Sequence, residues 1–377
     1  MSETTSTSVQ FGGKVRHRGR FSQIRIYLGK FFRMFIYQND WKVLPMAAII
    51  SALVGMVVQS NMFVTMEGTL FGAFALSCVC IWNGCFNSIQ VVCRERGIIK
   101  REHRSGMHIS SYVVAHMIYQ AFLCLAQTVL LTVVCTRIGV RFPEKGFMTG
   151  LFHLDFAISI FLITYASDML GLFISSFVHT TTMAMTVMPF LLIFQLIFSG
   201  GFFSLPSWSQ PLTNVTISRY GLRSVAALGD YNELPAVTAW NTLSRMTDTE
   251  ISKVITTEDL IRVLRNEDVR ARLREVESGT GATMEDIADL LLDSGLLAQF
   301  EGEEYDLRLK IGDIINAIGE EQVREYIQEA ARTAGHIADY ERTEDNILEC
   351  WFTLIGFSLL LAALSIVSLE FIDKDKR

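Results

Sequence analysis

Apolar residues in this chain gather into runs of about twenty, the length that carries a helix across the ~30 Å of hydrocarbon in a bilayer at 1.5 Å per residue. The runs predict six spans, at about 43–58 (with Trp41 and Lys42 at its edge), 66–92, 111–137, 151–177, 182–203 and 347–369. Ahead of the first span, Phe21, Ile24, Leu28, Phe31, Phe32 and Phe35 recur at helical spacing, with Arg25, Lys30 and Arg33 between them. That pattern predicts an amphipathic helix over 21–40 lying in the membrane interface, cations at the headgroups. Residues 229–345 break the rhythm and predict amphipathic helices at 257–277, 283–299, 307–318 and 320–341. Their apolar stripes (Leu260, Leu264, Leu273; Ile287, Leu291, Leu297; Ile311, Ile315, Ile318) suit the core of a small helical domain.

Composition agrees with a membrane protein: half of the 377 residues are apolar and the mean hydropathy is +0.32. The net charge of −6 conceals two unlike parts. Residues 230–345 hold 27 Asp and Glu against 12 Lys and Arg, whereas the remainder holds 12 against 21. Cations concentrate in three places: eight before the first span, five in the 93–110 turn, and Lys374, Lys376 and Arg377 in the tail. The positive-inside rule therefore predicts both ends in the cytoplasm and the acidic insert outside it. The expected organisation is a disordered cytoplasmic tail (1–20), an interfacial helix (21–40), five spans (41–228), an acidic helical extracytoplasmic domain (229–345), and a sixth span with its tail (346–377). No apolar stretch near the start suits a cleavable signal peptide.

The seven cysteines lie in or beside apolar spans, which reads as packing and not as a disulfide framework. Cys78 and Cys80 lack the further His or Cys that zinc needs, and Glu301, Glu303, Glu304 and Asp306 lack the alternation of a calcium loop. No Gly-x-x-x-x-Gly-Lys-Ser/Thr occurs, so the sequence predicts neither an ATPase nor a cofactor in this chain. No nucleic-acid partner is expected either.

Polar residues within spans are costly and so informative. Asn83, Asn87 and Gln90 recur at i, i+4 and i+7 on one helical face, with Trp82 and Phe86 on the adjoining stripe. They fit a substrate cavity and interhelical hydrogen bonding equally well. Asp168 needs water or donors, since no span offers a cation. Pro189 should kink the fifth span, which also carries Gln195.

The turn between the second and third spans carries Glu95-Arg96-x-Ile98-Ile99-x-Arg101-Glu102-x-x-Ser105-Gly106-Met107, then Ser110-Ser111-Tyr112. This stretch resembles the coupling-helix segment of ABCG-like ABC exporter permeases, the ABC type-2 membrane domain. A second likeness lies at the end of the fifth span, in Ser199-Gly200-Gly201-Phe202-Phe203, followed by Ile217-Ser218-Arg219-Tyr220. The large insert departs from the family pattern. The resemblance implies a re-entrant loop after the fifth span, a second permease chain, and a separate ABC ATPase subunit that holds ATP and Mg. It implies that Glu95, Arg96, Ile98, Ile99, Arg101, Glu102 and Gly106, within a coupling helix over 94–107, meet the ATPase. It places Trp82, Asn83, Phe86, Asn87, Gln90 and Gln195 at the substrate cavity, and Phe202 and Phe203 at the outer gate. The expected function is export of an amphipathic or hydrophobic substrate across the plasma or inner membrane. The competing expectation is a receptor or scaffold whose acidic domain binds a partner.

Overall fold

The computed structural model describes residues 19–37, 40–58, 61–201, 206–248, 250–256, 261–262, 265–267, 270, 288–289, 292 and 304–371. They divide into two compact units, residues 1–235 with 335–377, and residues 236–334.

The first unit is all helical among its described residues. It begins with α1 (Arg20–Tyr37), and a short 3-10 turn (Asp40–Lys42) leads into α2 (Val43–Val58). Next come α3 (Met66–Ser88), α4 (Val91–Arg104), α5 (Ile109–Ile138), α6 (Phe152–Phe177) and α7 (Thr181–Ile197). The short α8 (Gln210–Thr213) and α9 (Ile217–Leu228) follow, and α13 (Glu344–Glu370) closes the chain. Among the described residues, five stretches are long and apolar enough to cross a membrane: Asp40–Val58, Met66–Arg104, Ile109–Ile138, Phe152–Phe177 and Glu344–Glu370. The expected fifth span appears as the shorter α7, whose 17 residues sit at the lower end of the ~17–25 that a crossing needs. Its expected outer end, 202–203, lies outside the described residues.

Local chemistry sets where the helices start. Thr65, Thr180 and Thr343 cap α3, α7 and α13, each hydroxyl accepting from an amide three residues on. The first turn of α6 is anchored by Asp155, which is fully buried and accepts from Met148 N (2.9 Å), Thr149 N (3.0 Å) and Thr149 Oγ1 (2.7 Å). Asp155→Ala should cost on the order of 2–3 kcal/mol, because it strands donors that a carboxylate satisfied. A fall in thermal midpoint that Asp155→Asn partly recovers would be the expected measurement.

The core forms where α3 and α13 pack on α6. Glycines allow α3 and α6 to approach closely: a Cβ on Gly84 would stand 2.2 Å from Thr164 O, and one on Gly171 would stand 2.8 Å from Cys85 O. Small residues at a helix contact are how membrane helices gain packing without a hydrophobic drive. α9, only 12 residues long, is buried along nearly all its length against α3, α6 and α13. α1 and α2 pack on α5.

The chain leaves this unit and returns to it at neighbouring points. Asn232 and Ile337 exchange two hydrogen bonds of 3.1 Å, Arg342 pairs with Asp230 at 2.8 Å, and Arg219 pairs with Asp339 at 3.1 Å.

The second unit contains most of α10 (Leu234–Arg245), then β1 (Glu250–Thr256), β2 (Glu304–Lys310), α11 (Ile311–Ile318) and α12 (Glu320–Gly335). β1 and β2 pair antiparallel, with Ile251 opposite Leu309 and Ile255 opposite Tyr305. This corrects the expectation of a wholly helical insert: residues 307–310, read as the start of a helix, belong to a strand. The physical reason is the period-2 alternation Tyr305-x-Leu307-x-Leu309. The helix expected at 307–318 is present over Ile311–Ile318, and that expected at 320–341 over Glu320–Gly335 only, a 3-10 turn (Ala338–Tyr340) taking the place of its last part. Those expected at 257–277 and 283–299 lie largely outside the described residues, as do Glu301 and Glu303.

Candidate functional site

α4 (Val91–Arg104) is a short amphipathic helix where the resemblance implies one over 94–107, and its ends show why it is separate from α3. Gln90, ahead of its first turn, makes no capping bond, so the freed amides of Val92 and Cys93 need other acceptors. Ser175 Oγ on α6 supplies them at 3.0 and 3.2 Å. At the far end Gly106 takes φ +99°, with Gly106 N bonded to His103 O and Met107 N to Glu102 O, both at 3.0 Å. That paired pattern is a Schellman stop, and glycine is the residue that reaches its left-handed position without strain.

The expected coupling residues fall into two groups. Glu95, 5% exposed, pairs with Lys30 of α1 at 3.1 Å. Glu102 accepts from the Tyr27 hydroxyl at 2.8 Å. Burial, and secondarily this carboxylate, hold the Tyr27 phenol well above its ordinary value and keep it a neutral donor. Arg96 donates to the carbonyls of Ser176 (2.9 Å) and Val178 (3.3 Å), where a cation suits the C-terminal end of α6. Ile99 is fully buried, and the Gly106 carbonyl accepts from Gln23 at 3.2 Å. These five residues bind within the chain and fix α4 between α1 and α6.

The outward side is different. Gly97, Ile98, Arg101, Arg104 and Ser105 form an exposed stripe on successive turns, basic with one aliphatic side chain at its centre. Of the predicted set, only Ile98 and Arg101 lie on it. Arg94, in the first turn, faces Asp40 at 3.8 Å.

The six expected cavity residues are likewise divided. Trp82 and Gln195 line an apolar cavity of ≈ 260 Å³ among α3, α7 and α9, beside Ile81, Pro189 and Ile193. Gln195 is also a fastener: it accepts from Ser218 N at 3.1 Å, and its carbonyl accepts from Ser218 Oγ. Phe86, Asn87 and Gln90 line a second cavity of ≈ 220 Å³, towards α1 and α5. The Trp82 and Phe86 rings still touch, with centroids 5.2 Å apart, and Asn83 is buried. Asn87 exchanges hydrogen bonds with Gln127 of α5 at 2.9 and 3.0 Å. Beside it, Ser88 donates to Asp168 and accepts from Gln120 at 2.8 Å. The fully buried Asp168 is thus met by a hydroxyl from a neighbouring helix, and α3, α5 and α6 share one polar seam. Phe202 and Phe203 lie outside the described residues.

Several partners escaped the sequence reading. Gln23, Tyr27 and Lys30 recur every three to four residues along one edge of α1, and Gln120 and Gln127 stand seven apart on α5. Polar residues at helical spacing were the available signal in both cases. Among the described residues no cluster of His, Cys, Asp and Glu could hold a metal ion.

Comparison with known proteins agrees with this architecture. The family described as ABC-2 type transporter matches residues 23–228, which covers α1 through α9. The chain is similar to an ABC transporter ATP-binding/permease protein of Mycobacterium tuberculosis, 27% identical over 158 residues. That match covers 41% of this chain and spans 18% of the relative's length. With five membrane-length stretches among its described residues and a match over more than half its length, the chain belongs to the ABC-2 type transporter family and is a multi-pass permease component of an ABC transporter.

Proposed function

We propose that this chain is the membrane subunit of an ATP-driven exporter, working as a dimer with ATPase subunits borne on other polypeptides. The observation that carries the reading is the two-sided build of α4. Its inward side is tied to α1 and α6 through Glu95, Arg96, Ile99 and Glu102, so a push on it reaches the helices it is bonded to. Its outward side offers Ile98 and Arg101 to a partner. An aliphatic anchor ringed by cations suits an acidic groove on an ATPase. Both ends and α4 then lie in the cytoplasm of a plasma or inner membrane, and the insert lies outside it. The apolar cavity at Trp82 and Gln195 takes a hydrophobic or amphipathic substrate, and Phe202 and Phe203 close the outer exit.

The test is co-purification in mild detergent followed by reconstitution. An ATP-hydrolysing subunit should accompany the chain, and vesicles holding both should move an amphipathic dye in an ATP-dependent way. Isolation of the chain alone from cells that express the ATPase, with no ATP-dependent movement after mixing, would defeat the proposal in favour of a receptor or scaffold.

A further inference from the structure

The second cavity, ≈ 220 Å³, opens where α1, the start of α2, the α3–α4 junction and α5 come together. Phe31, Met34, Phe86 and Leu123 give it apolar walls. Set among them, one turn apart on α5, are His116 and Gln120, each only 1% exposed. His116 Nδ1 and Gln120 Oε1 have no hydrogen-bond partner in the chain, although the amide nitrogen of Gln120 is engaged by Ser88. Buried polar atoms are rarely left unpaired; these two are closed to solvent as the side chains stand, but both residues line the cavity, where a rotation of either side chain would bring its free atom to a ligand. At least one must find a donor, because an amide oxygen can only accept.

The same cavity carries a charge of each sign. Arg94 and Asp40 both line it, 3.8 Å apart and 47% and 39% exposed. A pair so loosely joined and so wet contributes little by itself. It does match a group that presents an anion and a cation together.

We propose that this cavity binds the headgroup of a phospholipid that ends in a primary ammonium. The phosphate meets the Arg94 guanidinium, which suits its planar fork. The ammonium donates to Asp40 and to Gln120 Oε1, and His116 Nδ1 takes whichever role its tautomer allows. The first carbons of the tails lie against Phe31 and Phe86. The volume falls below the ~300 Å³ at which pockets begin to enclose whole small molecules, so the tails run on into the bilayer. A choline headgroup carries the same charges but no N–H, and cannot satisfy Gln120. The inference is independent of any ATPase, and its readout needs none.

The experiment uses the full chain in detergent, with dioleoyl phosphatidylethanolamine and dioleoyl phosphatidylcholine as the two probes. Lipid retention is read by native mass spectrometry and by the shift in thermal midpoint. The wild-type chain should retain the ethanolamine lipid at least fivefold over the choline lipid, and Gln120→Leu should bring that ratio close to one. Arg94→Gln, at an exposed position, should keep the lipid-free midpoint and lower retention of both lipids at least fivefold. Should Gln120→Leu fail to fold, the wild-type ratio and Arg94→Gln decide. Equal retention of the two lipids by the wild-type chain, or retention unchanged in Arg94→Gln, would overturn the proposal.

Discussion

Alanine at position 84 is expected to abolish the folded protein. The added methyl would stand 2.2 Å from Thr164 O and 2.9 Å from both Asp168 N and Ser167 Cβ, so two of its three neighbours are backbone atoms of α6. A flexible side chain could swing aside, whereas a helix backbone moves only with the whole helix. α6 is held on its other flanks by α9 and α13, including the 2.8 Å bond from Trp351 Nε1 to Ser159 Oγ. Overpacking in a core usually costs ~1–3 kcal/mol, and a clash with backbone should exceed that against a total stability of ~5–15 kcal/mol. Recovery of monodisperse protein after size-exclusion chromatography is the measurement. Gly97→Ala serves as the control, since its Cβ would meet nothing within 4 Å and alanine favours a helix. Wild-type recovery of Gly84→Ala would mean that α3 and α6 lie far enough apart to admit a methyl group between them.

The second large effect concerns function without fold. Ile98→Asp combined with Arg101→Glu should leave the thermal midpoint unchanged, because both side chains are exposed on α4. It should weaken association with the proposed ATPase by ~2–4 kcal/mol, roughly 30- to 700-fold, through loss of an anchor and reversal of a charge. ATP-dependent transport should fall accordingly. Glu102→Gln gives the contrasting arm: it weakens the bond from Tyr27 on the buried side, so its effect should appear as lower stability of the α1–α4 contact at near-normal ATPase association. If the exposed pair of substitutions leaves association intact, the stripe is not the docking surface.

The membrane part of the fold was legible because lipid imposes one solution on a long apolar run: an α-helix that satisfies its own backbone. α4 was legible as a helix but not as a bonded one. On a helix facing water, charge marks the outside, yet α4 is packed between α1 and the end of α6, which offer it a lysine, a phenol and backbone carbonyls. Glu95 and Arg96 are adjacent in sequence, and both face inward, one to a lysine and the other to carbonyls at the end of α6. Knowing which charge turns inward requires knowing what lies opposite, and α1 and α6 come from distant parts of the chain. The same holds for Asn87, whose amide could equally have faced a substrate or Gln127. The ladder in the insert was missed for a different reason: seven residues of alternation in β2 run directly into the amphipathic α11, and the longer helical period dominated the reading.

The hydrogen bonds between Asn232 and Ile337, with the Arg342–Asp230 pair beside them, have a consequence for how such a chain can change over time. They work as a staple that holds the two cut ends of the membrane bundle together, whatever is threaded between them. A cassette grafted at one stapled point can be lengthened, exchanged or removed without shifting the register of α9 or α13. Residues 236–334 are therefore expected to be dispensable for the bundle, and a chain in which a short glycine–serine bridge replaces them between Pro235 and Gly335 should still assemble.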